Sequence, residues 1–187
     1  MTDRLCIGHA DLAKDAQVAL DDPFLEAGHD HDHDHCIETA LGRAAAICAR
    51  QGVRLTELRR RVLELVWSSH APVGAYQIME MMRGERSRVA PPTVYRALDF
   101  LADNGLIHRL NTLNAFVGCS RPGVGHKAYF LICRHCRNAV EFADATLDAA
   151  IAAASDQAGF AIEVETVELR GLCAACRTVR ADRPETP

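Results

Sequence analysis

Apolar positions recur at helical spacing from Cys36 onward. Ile37, Leu41, Ala44, Ala45 and Cys48 share a face, and Gly52 offers a stop. Thr56 stands where an N-cap belongs, ahead of a helix with Leu58, Val62, Leu65 and Val66 on one side. A short third helix, about Ala75 to Arg83, carries Ile78, Met79 and Met82 and stops at Gly84. The stretch "RVAPPTVYRALDFLADNGLIHRL" predicts a fourth. Pro91 and Pro92 suit its first turn, Val94, Leu98 and Leu101 form its buried stripe, and Gly105 ends it. Thr93, Tyr95, Arg96 and Asp99 fall elsewhere, with Tyr95, Arg96 and Asp99 on the outer side. Two short strands follow, about Leu106–Leu110 and Ala115–Gly118, around "NTLN".

Helices followed by a small hairpin form a winged helix, whose last helix before the hairpin enters the DNA major groove. An exposed Tyr-Arg pair near the start of that helix suits such a role, since Arg can bond two acceptors on guanine. An ordinary surface Tyr and Arg is the competing reading.

The second half has a different rhythm. Strands are expected over Ala128–Cys133 and Ala139–Phe142, then a helix in "DATLDAAIAAASDQAG" with Asp144 as cap and Gly159 as stop. A longer strand is expected from Phe160 to Leu169, with Ile162, Val164 and Val167 among acids. The fold class is therefore α+β. A disordered arm (1–35) precedes a winged-helix domain (36–117), a hinge (118–126) containing Pro122, a small α/β domain (127–180) and a tail (181–187).

Charge sharpens this picture. The chain of 187 residues has a formal net charge of -4. Residues 1–40 hold ten acids and two bases, residues 41–110 six acids and eleven arginines, and residues 111–187 nine acids and eight bases. The predicted winged helix is thus a basic module in an otherwise acidic or neutral chain, a pattern that suits a polyanion partner. Scattered surface arginines would give the same count. No apolar run approaches the ~18 residues of a membrane span. The N-terminus lacks an apolar signal region, so a cytoplasmic protein is expected. The "HDHDHDH" run, His29 to His35, can collect divalent metals weakly or serve as a solvated surface tract.

Eight cysteines in such a chain point to metal ligands more than to disulfides. Cys133 and Cys136 form one CxxC pair, Cys173 and Cys176 another. Four thiolates close a zinc tetrahedron and leave no open position, which stabilises a fold and does not catalyse. A thioredoxin-like redox pair would need one CxxC after a strand at a helix N-terminus, a context absent here. His108, Cys119, His126 and Glu141 are further potential ligands flanking the hinge. Each alone has a structural explanation; together they would tie the DNA-binding module to the second domain.

The run "APPTVYRALDFLADNGLIHRL", then Cys119, His126, "CRHC", Glu141 and "GLCAAC", closely resembles the Fur (ferric uptake regulator) family, above all its zinc-sensing members. The likeness covers about residues 37–178 and includes "RLT", Arg54 to Thr56. It implies a homodimeric, metal-dependent repressor of transcription, with a winged helix and a dimerisation domain. It implies a structural zinc at Cys133, Cys136, Cys173 and Cys176, and a regulatory zinc at His108, Cys119, His126 and Glu141, two per subunit. It also implies operator contacts from Tyr95 and Arg96, with Thr93 and Arg54 beside them, and no enzyme activity, small organic substrate or membrane partner. A thiolate such as Cys119 softens the second site toward zinc. Sensing of iron, manganese or peroxide remains an alternative, as do zinc buffering by the His-Asp arm and zinc-dependent hydrolysis.

Overall fold

The periodicity from Cys36 folds as α1 (His33–Arg50), which begins at His33, inside the expected arm. In this computed structural model, residues 33–69, 71–84 and 89–181 are described; most of the His-Asp run lies outside them. Leu41, Ala44, Ile47 and Cys48 form the buried face of α1. Ala45, expected there, is exposed, because the stripe continues from Ala44 to Ile47 and Cys48. Gly52 ends the helix at φ 68°, and the Val53 amide bonds back to the Cys48 carbonyl at 3.0 Å. Glycine takes that left-handed turn without strain.

Helix α2 (Glu57–Trp67) starts at Thr56, whose side chain accepts from the Arg59 amide at 3.4 Å. In α3 (Ala75–Met81), the Gln77 carboxamide accepts from the Gly74 amide at 2.8 Å; a 3-10 turn, Met82–Gly84, continues it. Helix α4 (Pro91–Asp103) begins with its proline pair and buries Val94, Ala97, Leu98 and Leu101. The hairpin of β1 (Ile107–Leu110) and β2 (Ala115–Gly118) is antiparallel, with His108 opposite Val117. Val73 bridges Phe116 and adds a one-residue third strand, which the sequence reading missed.

In the second half, β3 (Tyr129–Cys133) is central. It pairs antiparallel with β4 (Ala139–Phe142) and parallel with β5 (Val167–Gly171), in the order β4-β3-β5. Helix α5 (Ala145–Gln157) lies between β4 and β5, and Asp144 accepts from the Thr146 and Leu147 amides at 2.8 and 2.9 Å. The strand expected over Phe160–Leu169 is pairing-competent only from Val167. Residues 160–166 have no neighbouring strand among the described residues, so alternation alone does not make them one. Helix α6 (Ala174–Ala181) is not foreseen, and its last residue falls in the expected tail. Because it follows β5 and starts at the second CxxC, that pair does stand after a strand at a helix N-terminus, contrary to expectation. It is the gathering of all four sulfurs that weighs for a metal over a redox pair.

Two apolar cores result. One fills the space among α1, α2, α3, α4 and the hairpin. The other joins Leu110 and Val117 of the hairpin to Phe130, Ile132 and Ala139 of the second sheet. This smaller core seats the wing on the C-terminal sheet and brings β1 beside β4. Among the described residues, no helix is long and apolar enough to cross a membrane.

Candidate metal centres and nucleic-acid face

Parallel pairing of β3 with β5 sets Cys133 opposite Gly171, so the two CxxC turns leave the sheet side by side. The four sulfurs of Cys133, Cys136, Cys173 and Cys176 all lie within 4.8 Å of one another. All four are free thiols, and Cys136 Sγ stands 3.8 Å from Cys173 Sγ. That is far too long for a disulfide, whose S–S length is about 2.0 Å. It matches the edge of a sulfur tetrahedron around zinc, about 3.8 Å for Zn–S bonds of about 2.3 Å. Arg137, at φ 64°, turns the first knuckle, and its amide bonds the Cys133 carbonyl at 2.9 Å. The Cys173 amide donates to Cys133 Sγ at 3.4 Å; it is the main reason the Cys133 thiol is pulled down to about 5. Cys176 is pushed up to about 12, first by the hydrogen bond it gives to Cys173 and then by burial. One thiol pulled down beside two, Cys136 and Cys176, that are pushed up is a set of ligands suited to a divalent cation, which binds thiolates.

The second cluster lies where wing and sheet meet. His108 comes from β1, Cys119 follows β2, His126 ends the connecting loop, and Glu141 is on β4. One ligand atom from each lies within 4.8 Å of the others. Glu141 Oε1 is 2.6 Å from His126 Nε2 and 3.3 Å from His108 Nε2, and Cys119 Sγ is 3.8 Å from His126 Nε2. The Ser120 amide donates to Glu141 Oε2 at 2.9 Å. Burial pushes the Glu141 carboxyl up, but His108, the Ser120 amide and His126 outweigh it and hold it at about 2. Burial, then the Glu141 charge, pushes the Cys119 thiol up to about 12.

The imidazoles explain why this cluster fits a cation. His126 Nδ1 lies 2.7 Å from the Val124 carbonyl, an acceptor, so Nδ1 carries a proton. In the neutral ring Nε2 then presents a lone pair, and it faces an ionised carboxylate oxygen. Two acceptors at 2.6 Å need a positive charge between or on them. His108 Nε2 is buried with no hydrogen-bond partner; its 3.3 Å approach to Glu141 is near enough for attraction but lacks hydrogen-bond alignment. An unpartnered buried nitrogen, a buried thiol and a carboxylate aimed at one point form a mixed N, S, O ligand set of the kind zinc takes. The Val124 carbonyl stands where the outer partner that fixes a metal-ligating histidine would stand. Neither Val124 nor Ser120 was foreseen; both act through backbone atoms, which residue identity does not announce.

Two close packings lock the ligand loop onto the helices. A Cβ at Gly118 would stand 2.3 Å from Trp67 Cε2, so the indole of α2 lies directly over the residue before Cys119. A Cβ at Gly123, where φ is 80°, would stand 2.9 Å from Ile47 Cδ1 of α1.

Tyr95, Arg96 and Thr93 are exposed on the first turns of α4, as is Arg54 just before α2. The Arg59 guanidinium sits 3.4 Å above the Phe100 ring of α4 and donates to the Arg54 carbonyl at 2.6 Å. It thereby fixes the Arg54 turn against the recognition-type helix.

Comparison with known proteins agrees with this anatomy. A sequence model of the ferric uptake regulator family matches residues 50–170. The zinc uptake regulation protein of Escherichia coli strain K12 is 35% identical over 146 residues, 76% of this chain and 84% of that one. The corresponding protein of Mycobacterium tuberculosis strain H37Rv is 28% identical over 130 residues, 68% of this chain and 97% of that one. Among solved structures, a zinc uptake regulator complexed with zinc and DNA superposes with a TM-score of 0.74 at 34% identity, covering 78% of this chain and 97% of the other. The structure of holo XcZur gives 0.69 at 40% identity, covering 75% and 98%.

Proposed function

The chain belongs to the ferric uptake regulator family, and from that premise we propose that it is a zinc-responsive repressor of transcription. It acts as a cytoplasmic homodimer that binds a pseudo-palindromic operator when zinc is bound and shuts off zinc uptake genes. It holds two zinc ions per subunit. Cys133, Cys136, Cys173 and Cys176 keep one as part of the fold; His108, Cys119, His126 and Glu141 take the other as the signal.

The observation that carries this reading is the facing of His126 Nε2 and the Glu141 carboxylate beside the Cys119 thiol, at the seam of the two sheets. Zinc held by His108, Cys119, His126 and Glu141 would supply there the positive charge that a neutral imidazole facing an ionised carboxylate requires. The chain's own residues do the rest. His108 and Cys119 belong to the wing and its exit, Glu141 to the C-terminal sheet, so ligation requires the two to be seated together. Gly118 under Trp67 and Gly123 on Ile47 carry that seating to α2 and α1, and α2 packs against both α1 and α4. Tyr95, Arg96 and Thr93 then meet base edges in the major groove and Arg54 the backbone, one subunit per half-site.

The exposed apolar residues of the C-terminal part support the homodimer. Phe160 is 67% exposed and Val164 84%, in the segment without a strand partner, and Leu169 and Leu131 are exposed on the sheet. Apolar exposure of that density marks a protein contact. Four protein ligands at each centre leave no open position for a reactive water, which weighs against hydrolysis. The thiol of Cys119 weighs for zinc over iron or manganese.

Replacement of Cys119 by Ser tests the assignment. The variant should remain a folded dimer with its structural zinc and lose zinc-dependent operator binding. A normal zinc response in that variant would contradict the regulatory role.

A further inference from the structure

The wing turn runs Asn111-Thr112-Leu113-Asn114, and it is held from outside the wing. Glu168 of β5 accepts the Asn111 amide at 2.6 Å and the Thr112 amide at 2.8 Å. The Thr112 hydroxyl donates to the same carboxylate. Burial raises the Glu168 carboxyl, but the Thr112 hydroxyl and the two amides outweigh it and hold it below the usual range. The group is therefore ionised at neutral pH, and its hydrogen bonds are charge-assisted. A turn with Asn114 at φ 47° closes by its own Asn114 amide to Asn111 carbonyl bond at 3.2 Å. Glu168 adds nothing that the turn itself requires. What it adds is a link between wing and C-terminal sheet.

That link shares a strand with the second metal cluster. His108 lies on β1 and reaches Glu141 of β4; Asn111, just past the end of β1, reaches Glu168 of β5. Leu110 and Val117 pack against Phe130 between the two. The wing is thus pinned to the sheet at two points, of which one needs no metal.

We propose that Glu168 is a metal-independent clasp that sets how much zinc the regulatory site requires. The proposal rests on His108, Cys119, His126 and Glu141 being that site. Its four ligand atoms converge only when the wing is seated. Apparent affinity is the intrinsic affinity scaled by the fraction of molecules already seated. A clasp that raises this fraction before zinc arrives lowers the zinc needed. By reciprocity, zinc must protect the clasp.

The experiment uses the full-length protein as wild type, Glu168→Ala, Glu168→Gln and Thr112→Val. Zinc affinity is read by competition with a chromophoric chelator, and hydrogen exchange is followed at the Asn111 and Thr112 amides. Glu168→Ala should weaken the regulatory site about tenfold or more, given the strength of bonds to a charged group, while the four-cysteine site stays full. Thr112→Val keeps both amide bonds and Glu168→Gln keeps an acceptor, so both should shift affinity less. The two amides should exchange faster in Glu168→Ala, and zinc should slow them in the wild type. Unchanged regulatory affinity in Glu168→Ala with a full cysteine site overturns the clasp. If Glu168→Ala loses its structural zinc, Thr112→Val decides: no shift in affinity and no faster exchange overturns the proposal. If the wild type takes up only one zinc, the regulatory assignment has failed instead; equal amide protection in wild type and Glu168→Ala then overturns the clasp as well.

Discussion

His126 and Glu141 show how little freedom a side chain has once its other contacts are set. The Val124 carbonyl holds the His126 ring and the Ser120 amide holds the carboxylate, so that a neutral imidazole would set two acceptors facing each other at 2.6 Å. Cys119 adds a proton count. Its thiol stays protonated to about 12 in the metal-free protein, while a zinc ligand must be a thiolate. Zinc binding at neutral pH should therefore release this proton, and apparent affinity should rise about tenfold per pH unit from that proton alone. Proton release measured by titration in weakly buffered solution checks it. Without metal, the unfolded chain releases the same proton near 9 and the folded one near 12. This contribution to stability is complete below pH 9 and is lost as pH rises toward 12. Cys133→Ser should behave unlike Cys119→Ser: it removes a ligand of the proposed structural zinc and should leave a misfolded or unstable C-terminal domain, seen as a lost thermal transition. Gly118→Ala should displace the indole of Trp67, the single tryptophan, and change its fluorescence together with zinc affinity.

Helix α4 does two jobs with two faces. Its inner face, Val94, Ala97, Leu98 and Leu101, is fully buried, so Leu101→Ala should destabilise by about 2–5 kcal/mol in denaturant titration. Its outer face should not matter for stability. Arg96→Ala should cost about 1–3 kcal/mol on the operator and relax specificity at one base pair, if the contact is bidentate. Equal loss on random DNA would make it a phosphate contact. These faces were legible because 3.6-residue periodicity, the Pro91-Pro92 entry and the Gly105 stop all agree. The Thr56 and Asp144 caps were legible for the same reason: their chemistry is local. The failures are equally physical. Residues 160–166 alternate like a strand, but a strand exists only where a partner offers hydrogen bonds, and none does among the described residues. Helix α6 is short and starts inside a CxxC turn, where cysteine spacing hides helical periodicity. The eight metal-ligand candidates were readable as two sets of four, from CxxC spacing and from family likeness, and the same two sets come together in the fold. What had no local signal is how they converge, through β3 pairing parallel with β5 and Leu110 seating the wing against Phe130. The Glu168 clasp had no local signal at all.

The assembled chain couples a basic helical module to a sheet with apolar faces, through one loop and two pins. Its N-terminal arm, with most of the His-Asp run, lies outside the described residues. Deleting residues 1–32 should leave zinc-dependent DNA binding in place and reduce only weak metal uptake, measurable by titration of total bound zinc. Operator affinity should fall steeply with salt, since arginines meet phosphates. The most direct measurement is binding of the purified protein to promoter DNA of a zinc-transport gene across buffered free zinc, with Fe²⁺ and Mn²⁺ as comparators. Tight binding switched on by scarce free zinc, and by neither comparator at matched levels, is the expected result. Binding that ignores zinc, or answers only to iron or manganese, would keep the winged helix and contradict the role given to His108, Cys119, His126 and Glu141.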